Sequence, residues 1–137
     1  NVVDLMVLQS PQHHSHGISD EDFDLMFTTH RPVIFAYHGY PYLIHRLIYK
    51  RANHPNFHVR GFIEKGTTTT PFDMAVLNEL DRFHLAIEAI RRLPLNNEVA
   101  LPLIANFEEK LTLHKKYVCE HGEDMPEIRD WKWPYTR

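Results

Sequence analysis

The side chains able to do chemistry in this chain fall into a few short stretches. His13-His14-Ser15-His16 crowds three imidazoles together, but no cysteine or acid stands beside them at a ligand spacing. The stretch therefore reads as a surface loop, and no metal ligand is assigned. His38-Gly39-Tyr40 follows an apolar run, in the position where open α/β sheets bind ligands. The same glycine also serves the turn into a helix at Pro41, with His38 capping or packing against a neighbouring domain. Gly66 is followed by Thr67, Thr68, Thr69 and Thr70 ahead of Pro71. Hydroxyls and free amides at a helix start suit an anion such as phosphate or a nucleotide. Lys65-Gly66-Thr67 lacks the first glycine of a P-loop, however, and capping alone explains Thr70. His38, Gly39, Tyr40 and Thr67 to Thr70 are thus the candidates for ligand or interdomain contact.

Asp81, Arg82 and His84 suggest acid–base work, yet on one helix Asp81 and His84 face sideways from the core stripe, and the set reads as a structural ion pair or docking surface. Cys119 lies within a helical turn of Lys115 and Lys116, but a nucleophile also needs a base and an oxyanion site. No catalytic residue is assigned.

The elements that must position these residues follow from periodicity. Val2 to Leu8 is β-branched and apolar, as in a strand buried on both faces. Ser19 caps a short helix, Asp20 to Phe27, with an acidic first turn. Val33 to Tyr37 predicts a central parallel strand, and Pro41 opens a helix to Lys50 that turns Leu43 and Leu47, with Ile44 and Ile48 beside them, to the sheet. Phe57, Val59 and Gly61 alternate with His58, Arg60 and Phe62 in a half-exposed strand. Thr70-Pro71-Phe72-Asp73 has a threonine cap, a proline at the first helical position and an acid at the third. A long helix is predicted from there to Pro94, with Val76, Leu80, Phe83, Ile87 and Ile90 as its core seam. A last helix, about Val99 to His121, places Ile104, Phe107, Leu111 and Val118 on one face and ends at Gly122. The tail from Glu123 to Arg137 has no period, and Met125, Pro126, Trp131, Trp133 and Pro134 read as an extended strap. The expected architecture is α/β: three layers, a mostly parallel sheet with helices on both faces.

With 137 residues, one domain over 1–137 is expected. The chain opens on an apolar stretch without methionine and reads as a piece of a longer polypeptide. Hydrophobic residues at 43% and charged residues at 24% are those of a folded soluble protein. A net charge of −3 leaves no basic face for nucleic acid and no polybasic segment for a membrane. A single cysteine excludes an internal disulfide, and a reducing, cytoplasmic location is expected.

Four stretches carry a resemblance: Pro32-Val33-Ile34-Phe35-Ala36-Tyr37-His38-Gly39-Tyr40-Pro41, Gly66-Thr67-Thr68-Thr69-Thr70-Pro71-Phe72-Asp73-Met74, Asp81-Arg82-Phe83-His84-Leu85 and His121-Gly122-Glu123-Asp124-Met125-Pro126-Glu127. In this order they resemble the C-terminal domain of the xylulose-5-phosphate/fructose-6-phosphate phosphoketolases, over Asn1 to about Trp133. The resemblance implies a fold similar to the transketolase C-terminal domain. It further implies a parent enzyme that uses thiamine diphosphate with a divalent metal such as magnesium. That enzyme splits xylulose 5-phosphate or fructose 6-phosphate with inorganic phosphate, giving acetyl phosphate and an aldose phosphate. The family is similar to a homodimer whose active site lies between the two preceding domains. None of those segments is in this chain, so no catalytic, cofactor-binding or metal-binding residue is carried onto a numbered position. The isolated fragment is expected to be inactive and to bind no cofactor.

Two roles remain for the domain itself. One is a structural and interface domain, in contact with the preceding catalytic domains and a second subunit. The other is a regulatory module whose anion or nucleotide site joins His38-Gly39 to the threonine turn. An independent small enzyme would need a nucleophile, base and oxyanion donors in one cleft, and the sequence offers no such set.

Overall fold

The computed structural model describes residues 1–133. The chain divides into two compact units, Asn1–Phe62 and Ile63–Arg137. Its class is α/β, as expected, but the described sheet has two strands where the sequence suggested three.

The first unit opens on a 3-10 turn, Leu5–Leu8, and not on the strand expected for Val2 to Leu8. The reason is local. The Asp4 carboxylate accepts the Met6 amide at 2.9 Å and the Gln9 amide closes onto the Met6 carbonyl at 3.0 Å, so donors that a ladder would need are used within the turn. Helix α1, Asp20–Phe27, starts where Ser19 Oγ accepts the Asp22 amide at 3.0 Å. Strand β1 is Val33–Tyr37, helix α2 is Pro41–Ile48 and strand β2 is Phe57–Gly61. The two strands pair in parallel from Val33 opposite Phe57 to Tyr37 opposite Gly61, with α2 as the connection.

Leu8, Phe23, Phe35, Ile44, Ile48 and Phe57 form the core of this unit. Phe57 is its hub, with ring centroids 5.9 Å from Phe23, 5.5 Å from Phe27 and 6.4 Å from Phe35. Two expectations are corrected here. Helix α2 buries Ile44 and Ile48, whereas Leu43 is exposed, because the buried stripe is offset by one residue from the one chosen. Strand β1 is not a doubly covered central strand: among the described residues it pairs only with β2, Phe35 alone is buried, and Ala36 is exposed.

In the second unit, helix α3 is Pro71–Leu77, α4 is Arg82–Arg92, α5 is Asn97–His121 and α6 is Pro126–Arg129. The single long helix expected from Thr70 to Pro94 is therefore two. Asn78 causes the break: its side chain donates to the Met74 carbonyl at 3.0 Å and accepts the Ile63 amide at 2.9 Å. Glu79 then turns left-handed at φ 53°, Leu80 donates back to the Ala75 carbonyl at 2.9 Å, and Asp81 caps a new helix through the Phe83 and His84 amides. The spacing from Val76 to Ile90 continued through this break by coincidence. Phe83 and Ile87 are buried, while Val76, Leu80 and Ile90 are only partly covered.

Helix α5 keeps its expected C-cap, with Gly122 at φ 69° donating to the Val118 carbonyl at 2.8 Å. Its packed face meets the two shorter helices through a file of rings: Phe83 lies 5.8 Å from Phe107 and 6.1 Å from Phe72, which in turn lies 5.2 Å from His114. The tail is not a featureless strap. Helix α6 buries Ile128, and Trp131 meets Trp133 edge-on at 5.6 Å. Pro134 lies outside the described residues.

Candidate functional site

His38, Gly39 and Tyr40 stand at the C-terminal end of β1, within the first unit. The geometry there is a tight backbone junction. Gly39 donates to the Tyr37 carbonyl at 3.0 Å and accepts the Phe62 amide at 2.8 Å. A Cβ at Gly61 would lie 2.5 Å from the Gly39 oxygen and 2.6 Å from the Pro41 ring, so the close approach of the two strand ends requires glycine. The His38 imidazole is exposed and lies 4.5 Å from the Phe62 ring; Tyr40 lies 5.7 Å from Tyr42.

The loop histidines are engaged one by one. Lys50 Nζ is 3.2 Å from His13 Nε2, the His16 amide donates to His14 Nδ1 at 3.1 Å, and His16 Nδ1 pairs with Asp4 at 2.7 Å. The Met6 amide and then His16 hold the Asp4 carboxyl below its usual range. Among the described residues, no group of three His, Cys, Asp or Glu side chains is placed to hold a metal ion.

Thr67 to Thr70 lie in the second unit. Thr67 and Thr68 are exposed, whereas Thr69 and Thr70 are half-buried and hydrogen-bonded to acids. Thr69 Oγ1 donates to Asp73 at 2.7 Å. Thr70 Oγ1 accepts the Asp73 amide at 3.0 Å, as the cap predicted from sequence, and donates to Asp124. Two carboxylates already accept from these two hydroxyls, which disfavours an anion at Thr69 and Thr70.

Sequence reasoning missed the most concentrated polar cluster, which lies behind that turn. His114 is fully buried on α5, and Asp73 is fully buried on α3. His114 Nε2 is 3.5 Å from Asp124 Oδ1, and Lys115 reaches the outer oxygen of Asp73 at 3.4 Å. Burial pushes the His114 imidazole below its ordinary pKa; Asp124, Asp73 and Asp81 offset this in part, and Lys115 adds to it. The signal was available. The face read as Ile104, Phe107, Leu111 and Val118 has a gap of seven, and His114 occupies the missing 3-then-4 position.

Asp81 and His84 do form an ion pair, with Asp81 serving as a buried cap and not as a mid-helix acid. Arg82 instead stacks over Phe72, Phe83 and Trp131 at 4.9, 4.7 and 4.6 Å. Cys119 is exposed and borders a groove with Val76, Leu77, His84, Leu111 and Lys115.

The sequence matches the family model described as XFP C-terminal domain over residues 1–133. The chain belongs to that family. It is similar to a "Probable phosphoketolase" of Brucella abortus, with 80% identity over 137 residues, all of this chain and 17% of that protein. A "Probable phosphoketolase" of Bradyrhizobium diazoefficiens is 66% identical over 134 residues, 98% of this chain and 17% of the other. A "Probable phosphoketolase 2" of Nostoc is 57% identical over 135 residues, with the same shares. The chain thus spans about one sixth of the length of these relatives, as a phosphoketolase C-terminal domain. Asp73 and Asp124 face the threonine turn, a poor setting for a diphosphate. No helix among the described residues is long and apolar enough to cross a membrane.

Proposed function

We propose that this phosphoketolase C-terminal domain is a structural and interface domain that supports the catalytic domains of its parent enzyme and the pairing of two subunits. The parent cleaves xylulose 5-phosphate or fructose 6-phosphate with inorganic phosphate to acetyl phosphate and an aldose phosphate, in the cytoplasm. Thiamine diphosphate and magnesium, held in the preceding domains, supply the carbon–carbon cleavage chemistry. This chain contributes no group to the reacting atoms.

The observation that carries the reading is the distribution of apolar residues on α5. One side packs through Ala100, Phe107, Leu111, His114 and Val118. Val99, Leu103 and Leu113, at positions i, i+4 and i+14, expose aliphatic carbon along one flank, and Leu101 does so on the other. A helix apolar on more than one side is a helix meant to be covered on more than one side. Leu93 and Leu95, exposed in the connection before it, extend the apolar surface.

The test uses the full-length enzyme with Leu101→Glu and, separately, Leu103→Glu. Expected is a loss of subunit assembly and of acetyl phosphate production, with no loss of thermal stability in the domain expressed alone. Full activity and unchanged assembly in both variants would overturn the interface role. Acetyl phosphate made by the domain alone, with cofactor, magnesium, ketose phosphate and phosphate supplied, would overturn its non-catalytic role.

A further inference from the structure

The burial of His114 is chemically unusual. Its side chain has no exposed surface, and among the described residues neither ring nitrogen has a hydrogen-bond partner in the protein. Nearly all buried polar groups are paired, so an imidazole left bare in a packed interior is there in spite of its polarity. As a neutral ring it behaves as an aromatic filler, edge-on to Phe72 at 5.2 Å. The Arg82 guanidinium lies 4.9 Å over the Phe72 ring.

The charged groups that bear on this ring come from each element packed around it. Asp124, in the turn after α5, is the nearest at 3.5 Å, and it also accepts the Thr70 hydroxyl. Asp73 from α3 has one oxygen held by Thr69 and Lys115, while Oδ1 is buried without a hydrogen-bond partner among the described residues. Asp81, the cap of α4, is committed to His84. Lys115, on α5 itself, is the one cation among these. A proton added to the ring creates a cation with two N–H donors, of which Nε2 lies 3.5 Å from the Asp124 carboxylate. Nδ1–H has no hydrogen-bond partner among the described residues, so the charged ring costs far more to bury there than the neutral one.

From this geometry we infer that His114 is a proton-sensitive latch: neutral, it locks α5 to the Thr69–Asp73 helix start and the Asp124 turn, and protonated, it opens that contact. The device is separate from the interface reading above, since it depends only on residues within one unit. Its sign follows from burial, which holds the closed-state pKa of His114 below the open-state value. The open form therefore takes up a proton that the closed form refuses. The latch is fully closed above about pH 6.5, the ordinary histidine value, and its opening constant rises up to about tenfold per pH unit below that, until the closed-state pKa is reached.

The experiment is hydrogen exchange by mass spectrometry on the full-length phosphoketolase at pH 7.5 and 5.5, corrected for the intrinsic rate change. Expected is an opening constant for peptides spanning 69–77 and 110–125 that is up to about tenfold larger at the lower pH, with peptides from 20–62 unchanged. His114→Phe should abolish the pH dependence. Asp124→Asn, which keeps an acceptor for Thr70 but removes the nearest charge stabilising the imidazolium, should leave the pH dependence at least as large and does not require the cavity to be refilled. Equal protection at the two pH values in the wild type overturns the latch. So does a pH dependence that persists in His114→Phe, or one that Asp124→Asn weakens.

Discussion

The guanidinium of Arg51 lies 4.4 Å over the ring of Phe23 while its N–H groups reach three backbone carbonyls, those of Leu8, Gln9 and Ile18, at 3.0, 2.6 and 2.9 Å. One side chain thus ties the opening 3-10 turn, the histidine loop and the start of α1 to the end of α2. Its ion pair with Asp20 is the least of its contacts, since Asp20 is largely exposed.

Arg51→Ala is expected to destabilise the domain by about 2 to 3 kcal/mol, because buried carbonyls lose charged donors. Asp20→Ala should cost about 1 kcal/mol or less. Arg51→Lys should recover little, since an ammonium cannot span three carbonyls and a ring face. Urea denaturation of the domain checks all three; a larger loss in Asp20→Ala would mean that the ion pair is the dominant contact.

Thr70→Ala should cost about 0.5 to 2 kcal/mol, through loss of the Asp73 amide's cap acceptor. Thr70→Ser should remain within a few tenths of a kcal/mol of wild type, since it keeps the hydroxyl that caps α3 and meets Asp124. An unchanged midpoint in Thr70→Ala would remove the cap from the account of this turn.

How much was legible in the sequence can be judged at this turn. Thr70, Pro71 and Asp73 announce a helix start by local chemistry alone, and Ser19 and Gly122 do the same at other termini; all three caps are where the residues put them. The break at Asn78 was not legible, because it depends on a hydrogen bond to Ile63, fifteen residues away. The apolar run at Val2 to Leu8 was misread for a related reason: β-branched composition suits a strand, but Asp4 supplies a local acceptor that wins. Of the candidate site, the positions of Thr69 and Thr70 were readable, but not their partner Asp124, which lies 54 residues beyond Thr70.

Glu79 distinguishes two helices from one. In a continuous helix Glu79→Gly would cost about 1 kcal/mol. At φ 53° Glu79→Gly should instead be more stable than Glu79→Ala by about 1 kcal/mol in urea denaturation, because both lose the side chain and only glycine removes left-handed strain. Phe83→Ala, at the head of α4, should cost about 3 to 5 kcal/mol through lost packing against Phe72 and Phe107. A Glu79→Gly variant less stable than Glu79→Ala would restore the continuous helix.

Gly61→Ala should cost about 1 to 3 kcal/mol, since the new methyl meets backbone and a proline ring, neither of which can swing away. Gly122 meets nothing within 4 Å but has φ 69°, so Gly122→Asn should be nearly tolerated while Gly61→Asn is not. Thermal melts of the two asparagine variants give the comparison; equal losses would mean that crowding at the strand ends is not what requires Gly61.

The pairing of β1 with β2 joins residues 24 positions apart, and the longest reach of Arg51, to Leu8, is 43 positions. All of these partners precede residue 63, so during synthesis the first unit has its full set of core contacts before any of α3 has left the ribosome. Pairing across such separations, in a parallel ladder, closes more slowly than contacts between neighbouring helices, but within this domain the first unit is translated before the second. Arg51 is followed by Asn53, which ties the Phe27 and Arg31 carbonyls, and by Phe57, so a chain halted just short of Arg51 lacks both covers of the Phe23 ring.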